Sequence, residues 1–352
     1  MRIEDIDKNL KPQGLPEGVE LEYFDVREEP LRVFGLMYED DSFCRLPDAV
    51  AKATSGGVYA LHEHCAGGRV TFATDSKYVA IVCRVRSIGK MPHFSTIGSA
   101  GFDLYEGNVF QCSFFPPYDY NDGYSASYAF TDNSKLRNLL INFPLYTAVE
   151  SLYIGIEKGA SLKAYNPYRD LPPIVYYGSS ITQGGCASRP GNAYQAKISR
   201  ELAVDHINLG FSGSAKGEEV MAEYIASLPM SAFVLDYDHN APSVEHLEKT
   251  HERFYKIIRE KNPTLPIVLA SAPDFWKPSK AGQRSKELRR AVVLQTYIKN
   301  HREDKNLYFV DGASFYQSTD SDYCSVDGCH PNDCGFYYMA KGFLPTLKKI
   351  LK

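Results

Sequence analysis

The chain has 352 residues, of which 39 are Lys or Arg and 43 are Asp or Glu, giving a formal net charge of -4, and 44% are hydrophobic. That length exceeds what one hydrophobic core usually serves, so two domains are expected. The composition is that of an ordinary globular protein, and with no basic surface to release counterions from phosphates it argues against nucleic acid as a partner.

The N-terminus, MRIEDIDKNLKPQGLPEG, is charged and lacks the apolar stretch of a secretory signal. No later segment approaches the roughly 18 apolar residues of a membrane span, so a cytoplasmic protein with no membrane partner is expected. Up to about residue 165, short β-branched and aromatic runs are broken by turn residues: GVYALHEHC, RVTFATDSKYVAIVCRV, GFDLYEG, NVFQCSFF and LRNLLINFPLYTAVESLYIGI. KYVAIVCRV and SLYIGI alternate as half-buried strands do, whereas ATDSK, YEGN and YNDGY are turn material. No long amphipathic helix is legible here. Residues 1–165 are therefore expected to form an all-β sandwich, jelly-roll-like in form.

The eight cysteines read as free thiols in a reducing compartment. Cys324, Cys329, His330 and Cys334 cluster without the paired spacing of a zinc site. In HEHC (His62, Glu63, His64, Cys65) an alternating strand would send neighbours to opposite faces, leaving His62 and His64 together. No metal is expected at either cluster.

KAYNPYRDLPP, residues 163 to 173, is a proline-rich linker biased to extended backbone. Beyond it, in a domain expected over 166–352, strands alternate with helices. The strand candidates are IVYYG (174–178), HINLGF (206–211), AFVLDY (232–237), PIVLAS (266–271) and LYFVDG (307–312). Helical stripes run through Tyr194, Ile198 and Leu202; through Val220, Met221, Tyr224, Ile225 and Leu228; through Leu247, Phe254, Ile257 and Ile258; and from Phe336 to Ile350. Near-continuous apolar strands joined by helices imply an α/β fold with a five-stranded parallel sheet flanked by helices, whose ligand sites lie at the carboxyl ends of the strands.

Those ends carry polar groups. After the first strand comes GSSIT, where Ser179, Ser180 and Thr182 either cap the following helix or include a nucleophile. NLGFSG follows the second strand, with Gly210 and Gly213 in a turn that can aim N–H groups outward, and DHNA follows the third, bringing the Asn240 amide. In SVDGCHPND, after the fifth strand, Asp327 and His330 are three apart, so a carboxylate can hold imidazole Nδ1 and leave Nε2 as a base.

These four blocks resemble, in order, those of the SGNH hydrolases, the esterase superfamily also called GDSL hydrolases. The resemblance covers about 175 residues. It implies Ser180 as nucleophile, His330 and Asp327 as its partners, and an oxyanion hole formed by the N–H groups of Ser180 and Gly213 with the Asn240 amide. No cofactor is implied. Two departures stand out: Ser179 replaces the usual Asp before the nucleophile, and the third block reads Asp238-His239-Asn240-Ala241 in place of G-x-N-D. His239 is expected to be a positioned neighbour that touches substrate rather than a second base.

A jelly-roll-like domain ahead of an SGNH domain resembles the two-domain carbohydrate esterases, which implies an acetylated plant oligo- or polysaccharide, xylan or mannan, as substrate. Aromatic rings that stack on sugars would come from Trp276, after the fourth strand in SAPDFWKP, and from the tyrosine-rich stretch 114–128. A lipid or small-ester esterase and a non-catalytic carbohydrate-binding protein are the alternatives. The sequence gives no oligomeric state.

Overall fold

Strand Tyr78–Ile88 turns Val79, Ile81, Cys83 and Val85 into a core, and strand Thr147–Glu157, antiparallel to it, adds Leu152, Ile154 and Ile156. That pair is the centre of one sheet of a sandwich in the computed structural model of the chain, which describes residues 14–88, 91–117, 122–132, 135–273 and 280–352. Among these residues the sheet runs Leu21–Asp25, Thr147–Glu157, Tyr78–Ile88, Gly123–Ala129. The facing sheet runs Leu162–Lys163, Arg69–Thr74, Arg137–Asn142, Phe102–Glu106, Val109–Phe114, with Arg32–Phe34 also paired to Arg69–Thr74. All pairings are antiparallel, and Phe72, Phe102, Phe114 and Phe143 fill the space between the sheets.

One expected strand is a helix. GVYALHEHC yields the helix Gly56–Leu61, because Ser55 accepts the Val58 N–H as an N-cap and Val58 packs with apolar residues of the second half. His62 and His64 consequently share no strand face: His62 Nδ1 lies 2.6 Å from the Tyr59 carbonyl and His64 Nδ1 lies 3.2 Å from Gln183 Nε2.

The second half is a five-stranded parallel sheet in the order His206–Gly210, Ile174–Gly178, Ala232–Asp236, Ile267–Ala270, Leu307–Val310. All five strands fall where the apolar runs predict them. Helices Tyr194–Leu202 and Asp333–Ile350 cover one face around Tyr176, Tyr194, Phe336 and Phe343. Glu219–Ala226 and Val244–Lys261 cover the other around Tyr177, Phe233 and Phe254. A further helix, Lys280–Asn300, escapes the periodicity because its sequence is rich in charge and its apolar residues form no continuous stripe.

The halves share their cores. Ala66, Leu145 and Tyr146 of the sandwich join the first face, and Leu46, Ala51 and Val58 join the second. Buried Arg69 pairs with Asp205 and donates to the His206 carbonyl at 3.1 Å. No helix among the described residues is long and apolar enough to cross a membrane.

Candidate active site

Strand order reverses beside Ile174–Gly178, the kind of crevice in which open α/β sheets bind ligands. The strand is buried throughout and runs into a single helical turn, Ser180–Gln183. Ser179 caps that turn by accepting the Ile181 N–H at 3.1 Å, and Gly184, at φ +102°, closes it with N–H bonds to the Ser180 and Ile181 carbonyls. Thr182 Oγ1 is buried and donates to Asp236 at 3.2 Å. Of the three hydroxyls, Ser180 is the one that meets a base.

Ser180 Oγ lies 3.0 Å from His330 Nε2. His330 Nδ1 lies 2.7 Å from Asp327 Oδ2, while Asp327 Oδ1 accepts the N–H groups of Cys329 and His330 at 2.9 and 2.7 Å. The loop is held by its own bonds, Ser325 Oγ accepting the Gly328 N–H at 2.7 Å and donating to the His330 carbonyl at 3.1 Å. Burial raises the Asp327 carboxyl, but its N–H donors and the imidazole outweigh that and bring it down to about 2. Burial likewise works against charge on His330, yet hydrogen bonds to Cys329 and Asp327 lift it to about 9.

Asn240 ends the short turn Asp238–Asn240, and its Nδ2 donates to the Phe211 carbonyl at 2.9 Å, which ties the third block to the second. The turn without its usual glycine is anchored by Asp238: the buried carboxylate accepts the Ala272 N–H at 3.0 Å, and Arg289 donates to the Asp238 and Ala241 carbonyls, each at 2.7 Å. Gly213 sits in the left-handed region at φ +65°, where a side chain is disfavoured. His239 Nε2 lies 3.0 Å from Cys329 Sγ, so its neighbour is a thiol. That contact splits the cysteine cluster, because Cys324 and Cys334 face each other at 3.9 Å. Trp276 lies outside the described residues.

Several residues beside His330 escape sequence reasoning because they come from the sandwich half. The Phe94 ring packs edge-on against Tyr146 at 4.7 Å and against His330 at 6.1 Å, and His93 lies 5.6 Å from the His330 ring. Tyr146 Oη donates to the Ser180 carbonyl at 3.2 Å. Their signal in the sequence is no more than aromatic rings in loops. In the stretch 114–128, by contrast, Tyr124 is buried, donating to the Ala100 carbonyl at 2.9 Å, and residues 118–121 lie outside the described set.

Two buried side chains couple the sandwich to the strand ends. Asp103, in Gly101-Phe102-Asp103-Leu104-Tyr105, accepts Arg189 Nη1 and the Gly191 N–H, both at 2.8 Å, and so fixes the loop beyond Ser180. Arg45 donates to the Gly210 carbonyl and, at 2.7 Å, to that of Leu61, with its guanidinium 4.4 Å over the Phe211 ring.

The arrangement can transfer a proton from a serine hydroxyl to an imidazole oriented by a carboxylate, the requirement for acyl transfer. The structure is similar over 94% of the chain and 98% of the other to a Bacteroides ovatus protein described as a GDSL-like lipase (29% identity, TM-score 0.85). It shares its fold with the salicylyl-acyltransferase SsfX3 of a tetracycline biosynthetic pathway (19% identity, 94% of this chain and 97% of that one, TM-score 0.76). A family two carbohydrate esterase from Cellvibrio japonicus also has this fold (13% identity, 94% and 98%, TM-score 0.62). A multidomain esterase of Ruminococcus flavefaciens is 24% identical over 134 residues, 37% of this chain and 17% of that much longer protein. The profile described as the N-terminus of SGNH-hydrolase-type esterases matches residues 21–162, and that of the GDSL-like lipase/acylhydrolase family matches residues 172–348. With half its length so matched and its five-stranded sheet in place, the chain belongs to the GDSL-like lipase/acylhydrolase family of SGNH hydrolases.

Proposed function

We propose that the chain is a serine esterase that removes O-acetyl groups from oligo- or polysaccharides of the acetylated xylan or mannan type. The observation that carries the reading is the relay from Ser180 Oγ through His330 to Asp327, at 3.0 and 2.7 Å. In this reading His330 Nε2 takes the Ser180 proton as Oγ attacks the ester carbonyl. The resulting oxyanion is held by the N–H groups of Ser180 and Gly213 and by Asn240. Collapse expels the sugar alkoxide, which His330 protonates, and water activated by the same imidazole releases acetate from Ser180. The chemistry calls for no cofactor.

Two features favour a small acyl group on a polar alcohol. Phe94 and Tyr146 crowd Gly185, where an added Cβ would lie 3.1 and 3.0 Å from their atoms, leaving little room there for a long acyl chain. An open depression beside it is lined by Cys186, Ser188, Asn332, Asp333 and Cys334, in which Ser188, Asn332 and Asp333 supply polar groups for a sugar. Carbohydrate esterases with the same fold point to the same substrate class.

The test is acetate release from acetylated xylo- and manno-oligosaccharides, beside p-nitrophenyl acetate and p-nitrophenyl palmitate, by the native chain and Ser180→Ala. Release from the sugars, lost in Ser180→Ala, is expected. Turnover of the palmitate ester alone would replace this reading with a lipid esterase, and an active Ser180→Ala enzyme would remove the nucleophile assignment.

A further inference from the structure

The His330 imidazole is surrounded by donors that ester hydrolysis does not use. A nitrogen of His93, the thiol of Cys186 and a nitrogen of His330 lie within 4.8 Å of one another. They arrive from three segments: the loop before helix Thr96–Ala100 of the sandwich, the turn beyond Gly184, and the loop before helix Asp333–Ile350. Because Asp327 engages Nδ1 of His330, Nε2 is the nitrogen open to a further ligand, and it is the one that faces Ser180.

Two imidazoles and one thiol form a borderline-soft donor set, suited to zinc-class ions rather than Mg²⁺ or Ca²⁺, which prefer oxygen. With Zn–N near 2.0–2.1 Å and Zn–S near 2.3 Å, tetrahedral neighbours stand roughly 3.3–3.6 Å apart, so donors within 4.8 Å of one another close on an ion by side-chain rotation, for which the exposed His93 has the most freedom. The neighbouring Cys329 belongs to a separate group with Asp327 and His330, and its sulfur lies 3.0 Å from His239 Nε2. Asp327 already accepts two N–H groups and the imidazole.

The geometry points to a binding site for a zinc-class divalent ion formed by His93, Cys186 and His330, with water in the fourth position, whose occupancy takes the His330 imidazole from Ser180 and blocks ester hydrolysis. Binding replaces the Cys186 S–H bond by S–Zn and releases that proton to solvent; no electron moves. The block on hydrolysis rests on the esterase reading above, whereas the binding does not.

Calorimetric titration of the full chain with ZnCl₂ tests the site directly. The native protein is expected to bind one equivalent, with Mg²⁺ giving no signal. His93→Ala and Cys186→Ser are expected to weaken binding at least about tenfold, and Cys329→Ser not to weaken it. Thermal melting of each variant separates a lost ligand from a lost fold, and the aryl-acetate turnover that Cys186→Ser retains should resist the added Zn²⁺ that stops the native enzyme. No stoichiometric binding by the native chain, equal affinity in a folded Cys186→Ser, or loss of binding in Cys329→Ser would each overturn the assignment. Absent esterase activity with intact zinc binding would overturn the proposed function and leave the site standing.

Discussion

Cys329, directly before His330 in the DGCH block, acts with Asp327 to set how basic His330 becomes. Burial raises the Cys329 thiol, but hydrogen bonds to His239 and His330 outweigh it and bring it down to about 6. The same thiol and Asp327 lift His330 to about 9. Catalysis as proposed needs Nε2 unprotonated, and that fraction grows as pH rises through the imidazole pKa. The rising limb of kcat/KM should therefore centre near 9, above the ordinary imidazole range. No carboxylate limb is expected above pH 3, because Asp327 stays ionised with its carboxyl near 2. Cys329→Ala removes one of the two partners that raise His330, so its limb should move to lower pH and its rate at pH 7 should increase. Identical pH profiles for the native chain and Cys329→Ala would show that the thiol has no hold on the base.

At the scale of single elements, the strand-end turns are rigid because each is bonded to the next. Asn240 holds the Phe211 carbonyl, Gln183 accepts the Ser212 N–H at 3.0 Å, and Arg45 lies beneath Gly210. Asn240→Ala removes an amide donor from the proposed oxyanion hole and should lower kcat by about 100- to 1000-fold, with KM little changed. A change in KM alone would make Asn240 a binding residue. Asp103→Ala leaves the buried Gly191 N–H and Asn142 Nδ2 without their acceptor and the half-buried Arg189 with Tyr105 Oη in place of its carboxylate, so the loop after Ser180 should loosen. A loss of about 3 kcal/mol in urea unfolding is expected, at the lower end for a broken buried pair because Arg189 is partly exposed. A loss below about 1 kcal/mol would mean that the loop holds without the sandwich.

For the whole molecule, the same contacts predict that the two halves unfold together. Tyr146 and Leu145 are buried with residues of the parallel sheet, Val58 and Leu46 with those of its other face, and Arg69, Arg45 and Asp103 bond across the junction. Calorimetry should show one transition, and a chain cut at residue 165 should yield a hydrolase half that aggregates, with apolar surface and strand-end carbonyls uncovered. Two well-separated transitions, or a stable and active fragment 166–352, would show that each half carries a core of its own.

What the sequence determined by itself was whatever depends on local order. Buried parallel strands read as continuous apolar runs, so IVYYG and its four successors were legible; ligand sites follow strand ends, so GSSIT, DHNA and SVDGCHPND stood out there, and the resemblance to SGNH hydrolases singled out Ser180, Asn240, Asp327 and His330. GVYALHEHC was not legible as a helix, since a short apolar run satisfies either period and the Ser55 cap and the packing of Val58 decide between them. The helix Lys280–Asn300 lacked the stripe on which such readings rest. Only the tertiary structure brought His93 and Phe94 to His330 and Tyr146 to the Ser180 carbonyl, set Cys186 beside His330 and turned Tyr124 inward. The contacts to His330 join segments roughly 140 to 240 residues apart, and nothing in a sequence's local pattern encodes which loop of one half closes over the strand ends of the other; the packing of the shared core does.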